Sequence, residues 1–421
     1  MRRASGIVLA IGVVLAAGII WRADVIAWLM NRVIYAEAGA GLLPADFTDV
    51  VLPFELVNEH IFLVVRVNNS RPLQFMLDTG AKYTIVDLDL AQELGLPLGT
   101  NIPVSGVGPQ SVRGAMVKDG RVTLGAFPGF TDPVALAISL RGLAPLLGHD
   151  LDGILGNDFM SKFVVEVDYQ RRTVTLHNRL SFRYSGPGEA IPIRFTATGH
   201  PAFHGAVQAR GPEELPGEFE LDLGAGGALD LHRPFVEEHH LPPPGLSTVP
   251  DIGSAGTGGE TSGVVGRITA FRIGRFEMKD MPVVFSRDTS GSAAGANTQG
   301  SIGEETISRF RLFLDYERRR VIFEPNARYA EKFDRAYSGV LIAAEGKDYK
   351  TIRITRVVPG SPGAESGLEE GDVIVAANGQ STSSTTFSDV VNLLRRTGTV
   401  SLNVNHGGQP LAALVKPREL R

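Results

Sequence analysis

Two acids stand out by their setting. Asp78 ends the apolar run Phe75-Met76-Leu77 and is followed by Thr79, Gly80 and Ala81. Asp222 ends Phe219-Glu220-Leu221 and is followed by Leu223, Gly224 and Ala225. A carboxylate at the end of a buried strand is costly unless it is paired or performs acid–base chemistry. Gly80 permits close approach of a second backbone or a ligand. Thr79 adds a hydroxyl able to bond a neighbouring segment. Asp-Thr-Gly alone is equally compatible with a capped turn.

The surroundings of the two acids repeat. Asp222 follows Asp78 by 144 residues. Gly153-Ile154-Leu155-Gly156 is echoed by Gly300-Ser301-Ile302-Gly303, with Gly303 147 residues after Gly156. Phe163–Tyr169 is echoed by Phe310–Tyr316, with Asp315 again 147 residues after Asp168. A repeat that keeps its order and spacing over such a length predicts two similar lobes. Each lobe delivers one acid through a strand and a tight turn.

Apolar-apolar-Asp-Thr-Gly-Ala with a later Ile-Leu-Gly resembles the retropepsin-like aspartic peptidases, over about residues 50–325. The resemblance implies a mainly β fold: two retropepsin/pepsin-like β-barrel lobes at 49–187 and 188–332. It also implies a catalytic pair, Asp78 with Asp222, carried on the active-site loops of Thr79, Gly80, Leu223 and Gly224. Two carboxyls held near contact do not both ionise cheaply, so they share a proton. The charged member takes a proton from water and the neutral one donates to a peptide carbonyl, with no metal and no cofactor. The second lobe departs from the pattern, because Leu223 stands where a hydroxyl belongs and supplies no side-chain hydrogen bond across the pair. Three readings stay open on the sequence: a single-chain endopeptidase with an asymmetric pair, a peptidase active only as an Asp78–Asp78 homodimer, and an inactive relative that binds peptides.

The same resemblance makes flap hairpins of Val104–Pro109 and of Gly253–Gly259 followed by Arg267–Gly274. Gly224-Ala225-Gly226-Gly227 lacks the helix context and the following Lys of a phosphate loop. His232, His239 and His240 match no helical metal spacing and read as solvated histidines. Arg287–Gly300 has the composition of a flexible linker.

The last ninety residues change character. Gly367-Leu368-Glu369-Glu370-Gly371-Asp372-Val373-Ile374, then Asn378-Gly379, then an amphipathic segment around Val390–Leu394, are very similar to the PDZ domains of bacterial exported proteases. The resemblance implies an α+β PDZ domain at 333–421. Tyr337, Ser338, Gly339 and Val340 would then be the loop that cradles a peptide's terminal carboxylate, with protein C-termini as partners.

A net charge of −5 over 421 residues argues against a nucleic-acid partner. The absence of cysteine excludes disulfides and thiol nucleophiles. Arg2-Arg3 precedes an uncharged, mostly apolar run from Ala4 to Trp21. Residues 1–22 therefore read as a membrane anchor in preference to a cleaved signal, and 23–48 as a juxtamembrane linker. The Arg pair would stay in the cytoplasm and the remainder would face the periplasm. A reporter active only in the cytoplasm, fused after Arg421, is expected to be dark; a bright one would sink the export reading.

Overall fold

A computed structural model describes residues 43–44, 47–104, 106, 110–252, 255–256 and 258–420. The apolar N-terminal run lies outside these. Among the described residues no helix is long and apolar enough to cross a membrane. The chain is mainly β, in two lobes followed by a smaller domain with its own apolar core.

In lobe one the strand Leu73–Leu77, almost wholly buried, is flanked on both sides. His60–Val67 runs antiparallel to it, with Phe62 facing Met76. Gly153–Leu155 runs parallel, with Leu155 facing Leu77. Buried on both faces, such a strand reads as a continuous apolar run, not an alternation. The ladder carries on into the loop, where Asp78 N–H donates to Leu155 O at 3.1 Å. Beyond the loop, Ile85–Asp87 leads into a short helix, Leu88–Glu93. Asp87 caps it, its Oδ1 accepting from the N–H groups of Asp89 and Leu90 at 3.0 and 3.1 Å.

Lobe two repeats the plan. Leu215–Leu221 lies between Pro201–Gln208, antiparallel with Ala202 facing Glu220, and Gly300–Ile302, parallel with Ile302 facing Leu221. Asp222 N–H donates to Ile302 O at 3.0 Å. The abbreviated Ser-Ile-Gly segment thus braces its loop as Ile-Leu-Gly does in lobe one.

The glycine after each bracing strand has a packing reason. A Cβ on Gly156 would lie 2.5 Å from Tyr83 O, and one on Gly303 would strike Gly226 O. With no side chain there, the next N–H groups reach the loop carbonyls: Asn157 to Ala81 at 2.8 Å, Glu304 to Ala225 at 2.8 Å.

The lobes are joined by sheet as well as by contact. Val164–Asp168 pairs antiparallel with Phe310–Asp315, Val165 facing Leu314 and Val167 facing Leu312. One apolar cluster runs through both lobes, from Phe75 and Phe163 to Phe219, Phe310 and Phe323. The relative position of the two acid loops is therefore set by a continuous core.

The 287–300 segment is not the free linker that its composition suggested. Asp288 and Thr298 are buried in it, and Asp288 Oδ1 accepts from both N–H and hydroxyl of Ser262 at 2.7 and 2.8 Å. Small residues fill the middle while the two polar ends are anchored.

The C-terminal domain holds a six-stranded sheet whose path runs through Val340–Glu345, Thr351–Val357, Val373–Ala377, Val400–His406 and Gln409–Val415. Its helix Phe387–Arg395 starts at a capping box, Thr386 with Asp389. Ala336–Tyr337 pairs with Arg418–Glu419 and ties the entry of the domain to its exit.

Overpacking at a brace should be felt directly. Gly156→Ala is expected to lower unfolding stability by about 1–3 kcal/mol, read from the urea midpoint, whereas alanine at the unobstructed Gly125 is expected to leave it nearly unchanged.

Candidate active site

The two loops meet. A Cβ placed on Gly80 would lie 2.8 Å from Asp222 Oδ1 and 3.0 Å from Asp78 Oδ1, and one on Gly224 would collide with the Asp78 carboxyl. Each glycine is thus the floor under the opposite acid. The carboxyls hydrogen-bond to one another. Each also accepts from the glycine N–H two residues on, Gly80 to Asp78 at 2.6 Å and Gly224 to Asp222 at 2.9 Å.

Burial and the neighbouring Asp222 push the Asp78 carboxyl up to about 8. Burial also raises Asp222, but His200 pulls against it. Both carboxyls are thus raised, and the pair shares one proton over a wide range.

Thr79 and Leu223 are both buried beneath the pair. The Thr79 hydroxyl donates to Leu221 O at 2.5 Å and accepts from Leu223 N–H at 2.9 Å. Only the main chain of residue 223 is needed for this half of the cross-link. The leucine side chain packs instead into the shared core. Asn157 Nδ2 donates to Thr79 O at 2.6 Å and to Gly199 O at 3.2 Å, while Tyr316 O–H donates to Asn157 Oδ1 at 2.8 Å. The loop of lobe one is thus held by a residue that also grips a turn of lobe two.

Sequence reasoning missed two histidines. Phe62 faces Met76 in lobe one, so the same register puts His60 opposite Asp78. Ala202 faces Glu220 at the end of the lobe-two ladder, so two residues further on the same register brings His200 level with Asp222. His200 Nδ1 lies 2.9 Å from Glu220 Oε2, and Thr298 Oγ1 donates to Glu220 Oε1 at 3.0 Å. His60 Nδ1 lies 2.6 Å from Asn58 O. Burial, only partly offset by its neighbours, holds His60 below the ordinary histidine range. His60 opens a strand while His200 lies in the turn before one, and their separation of 140 residues departs from the 144 and 147 of the repeat, so the repeat did not announce them.

His232 corrects the sequence reading, which took it as solvated. It is 5% exposed, and its Nδ1 lies 3.1 Å from Thr298 O. His239 stacks edge-on against Phe235. Among the described residues no three His, Asp or Glu side chains are grouped to hold a metal ion.

The hairpin Leu98–Val104 with Val112–Val117 and the small hairpin Ala255–Gly256 with Gly259–Glu260 approach each other, Gln110 N–H donating to Gly258 O at 3.0 Å. In the C-terminal domain Tyr337, Ser338 and Val340 are buried. Ser338 O and Gly339 O accept from Gly363 N–H and Val358 N–H, each at 2.8 Å. Val340–Glu345 follows as an edge strand. The Ala144–Leu147 turn of lobe one lies against that strand, and Gly148 sits beneath the Phe387 ring at the start of the helix.

Known proteins match parts of this chain. Residues 63–159 match the aspartyl protease family model and residues 353–404 match the PDZ domain model. Serine protease HTRA1 of Xenopus laevis is 31% identical over 67 residues, and that of Xenopus tropicalis 35% over 68. Each match covers 16% of this chain and 14% of the relative. An aspartic proteinase from Irpex lacteus aligns over 67% of this chain and 99% of its own, at 13% identity and a TM-score of 0.42. Basic 7S globulin from soybean aligns over 68% and 97%, at 10% identity and 0.39.

The raised Asp78 carboxyl has a stability consequence of definite sign. Between the ordinary aspartate value and about 8, the folded chain keeps a proton that the unfolded chain has released, so stability falls as pH rises through that window. Asp78→Asn removes the ionisation, and its urea midpoint relative to wild type is expected to improve steadily from pH 4 to pH 8. A constant difference across that range would contradict the shared proton.

Proposed function

We infer that the chain is an aspartic-type endopeptidase of the cell envelope, working as a single chain through Asp78 and Asp222. What supports this above all is the approach of two carboxyls from equivalent loops, hydrogen-bonded to each other over two glycine floors. A binding protein has no need of that costly arrangement.

The residues divide the work. A water lying between the carboxyls loses its proton to anionic Asp222 as its oxygen attacks the peptide carbonyl carbon. Asp78 gives its proton to the carbonyl oxygen, forming a neutral tetrahedral diol. Collapse breaks the C–N bond as the nitrogen takes a proton from Asp222, and a diol hydroxyl returns its proton to Asp78. The N–H groups of Gly80 and Gly224 hold each carboxyl in place through the cycle. An extended peptide would lie in the cleft beneath the two hairpins joined at Gln110 and Gly258.

The single-chain form is preferred to an Asp78–Asp78 dimer because the Asp222 loop already occupies the place a second Asp78 loop would take. The PDZ domain would receive peptide or protein C-termini at Tyr337–Val340, with strand addition to Val340–Glu345. Lobe one already lies on that strand, so an incoming peptide would compete with the Ala144–Leu147 turn. Residues 1–22 would anchor the chain in the inner membrane, with the lobes facing the periplasm.

Asp78→Asn and Asp222→Asn are each expected to abolish cleavage of a diverse peptide mixture, since one carboxyl cannot serve as both base and acid. Mixing the two variants should restore nothing, and specific activity should not change on dilution. An active Asp222→Asn protein, or activity lost on dilution, would overturn the single-chain mechanism.

A further inference from the structure

Each lobe brings a histidine to the acid loops, yet the two are wired differently: His200 is held by Glu220, and His60 by Asn58 O, beside Gly224 and Asp222. Residues directly opposed in an antiparallel ladder have Cβ atoms about 4.5–5.5 Å apart, and diagonal neighbours remain within reach of long side chains. Extending the register two residues past Ala202–Glu220 makes Asp222 the position opposite His200 and Glu220 the diagonal one. Glu220 and Asp222 are two apart on one strand, so both point to the same face.

We propose that His200, pinned by Glu220 across the ladder from Asp222, is a positioning residue of the carboxyl pair that fixes Asp222 as its anionic member and sets the acid limit of cleavage. The proposal rests on the peptidase reading above. Its geometry is rigid at every joint. His200 closes a tight turn, its N–H donating to Thr196 Oγ1 at 3.0 Å while Thr196 N–H donates to His200 O at 2.9 Å. Gly199 O in the same turn is held by Asn157. The side chains of His200 and Glu220 are 17% and 13% exposed, so the pair is poorly screened by water.

The charges around the ring agree in sign. Glu220 faces it from its own strand, and Asp222 and Asp78 from the two acid loops. Lys82 is the nearby cation, its stem packed over Gly199. Behind Glu220 stands His232, which burial holds below the ordinary range and so keeps uncharged. Burial is the largest single influence on His200 and disfavours its charged form, but Glu220, Asp222 and Asp78 together outweigh it, and the ring is held above the ordinary histidine range.

An imidazolium beside a carboxyl pair favours the ionised form. In lobe one, His60 is committed to Asn58 O and stays uncharged. The approximate twofold relation of the lobes is thereby broken: one imidazolium acts on both carboxyls, and the ladder register brings it level with Asp222. The two carboxyls are chemically alike, and this asymmetry decides which of them is base and which is acid.

The test has two arms. In the first, kcat/KM for a peptide cleaved by the wild type is measured against pH. His200→Gln is expected to move the acid limb up by about one pH unit, a roughly tenfold loss on that side, with KM nearly unchanged. His200→Lys, which keeps a cation, should hold the limb near its wild-type place. A His200→Gln profile parallel to wild type would overturn the proposal. In the second arm, the ring of His200 is titrated by NMR in histidine-labelled full-length protein. Its midpoint should fall in Asp222→Asn and in Glu220→Gln; an unchanged midpoint in Asp222→Asn would refute the coupling. This arm needs no turnover. A wild type that cleaves nothing, with a His200 that still senses Asp222, would overturn the peptidase reading and the acid-limit role, while leaving the electrostatic pairing standing.

Discussion

One hydroxyl carries the contact between the two acid loops. Thr79 donates to Leu221 O and accepts from Leu223 N–H, so a lobe-one side chain is bonded on both sides of Asp222. It is fully buried, where an unpaired polar group costs about 1–3 kcal/mol. The spacing of the carboxyls, their shared proton and the closeness of each to the other's glycine all depend on this bond pair keeping the loops in register. The sheet between Val164–Asp168 and Phe310–Asp315 sets the coarse position of the lobes, and the hydroxyl sets the fine one.

Seen from that bond, Leu223 is less of an anomaly. The main chain of residue 223 performs the part of the cross-link that Thr79 needs, and a leucine side chain at 1% exposure adds apolar contact where a second hydroxyl would have added a bond. The asymmetry continues outward: Asn157 and Tyr316 brace the Thr79 side, and the Glu220–His200–Thr298 group surrounds the Asp222 side. Two loops of common plan have been stabilised by different means.

Much of this was legible in the sequence wherever local pattern and repeat spacing coincided. The strand-Asp-Gly loops, their bracing glycines and the C-terminal Gly-Asp and Asn-Gly segments announce themselves because each is a backbone requirement that few residues satisfy. His60, His200 and Glu59 were not legible in that way. Their roles come from register across a ladder or from a neighbouring domain, and neither leaves a mark on the residues beside them. His232 misled because its charged neighbours suggest a wet surface, whereas a helix start turned its ring inward to Thr298. The same threonine is hidden in a small-residue stretch, so its hold on Glu220 was invisible too.

Glu59 gives the C-terminal domain a different standing from that of a detachable appendage. Its Oε2 accepts from Gly227 N–H, beside the Asp222 loop, at 3.2 Å. Arg335 and Arg395, at the entry and in the helix of that domain, lie 3.6 and 3.5 Å from its carboxylate. Burial alone would raise Glu59, and the two guanidiniums with the Gly227 N–H hold it below the ordinary range instead. Arg356 reaches the small hairpin of lobe two through Glu260 at 2.9 Å. A chain cut after lobe two would lose both guanidiniums that face Glu59, whose carboxylate holds the Gly227 N–H beside the Asp222 loop. The boundary drawn by domain architecture is therefore not the boundary of this ion-pair group: the partners of Glu59 extend to residue 395, and a truncated protein would present the Gly227 turn with a differently balanced carboxylate.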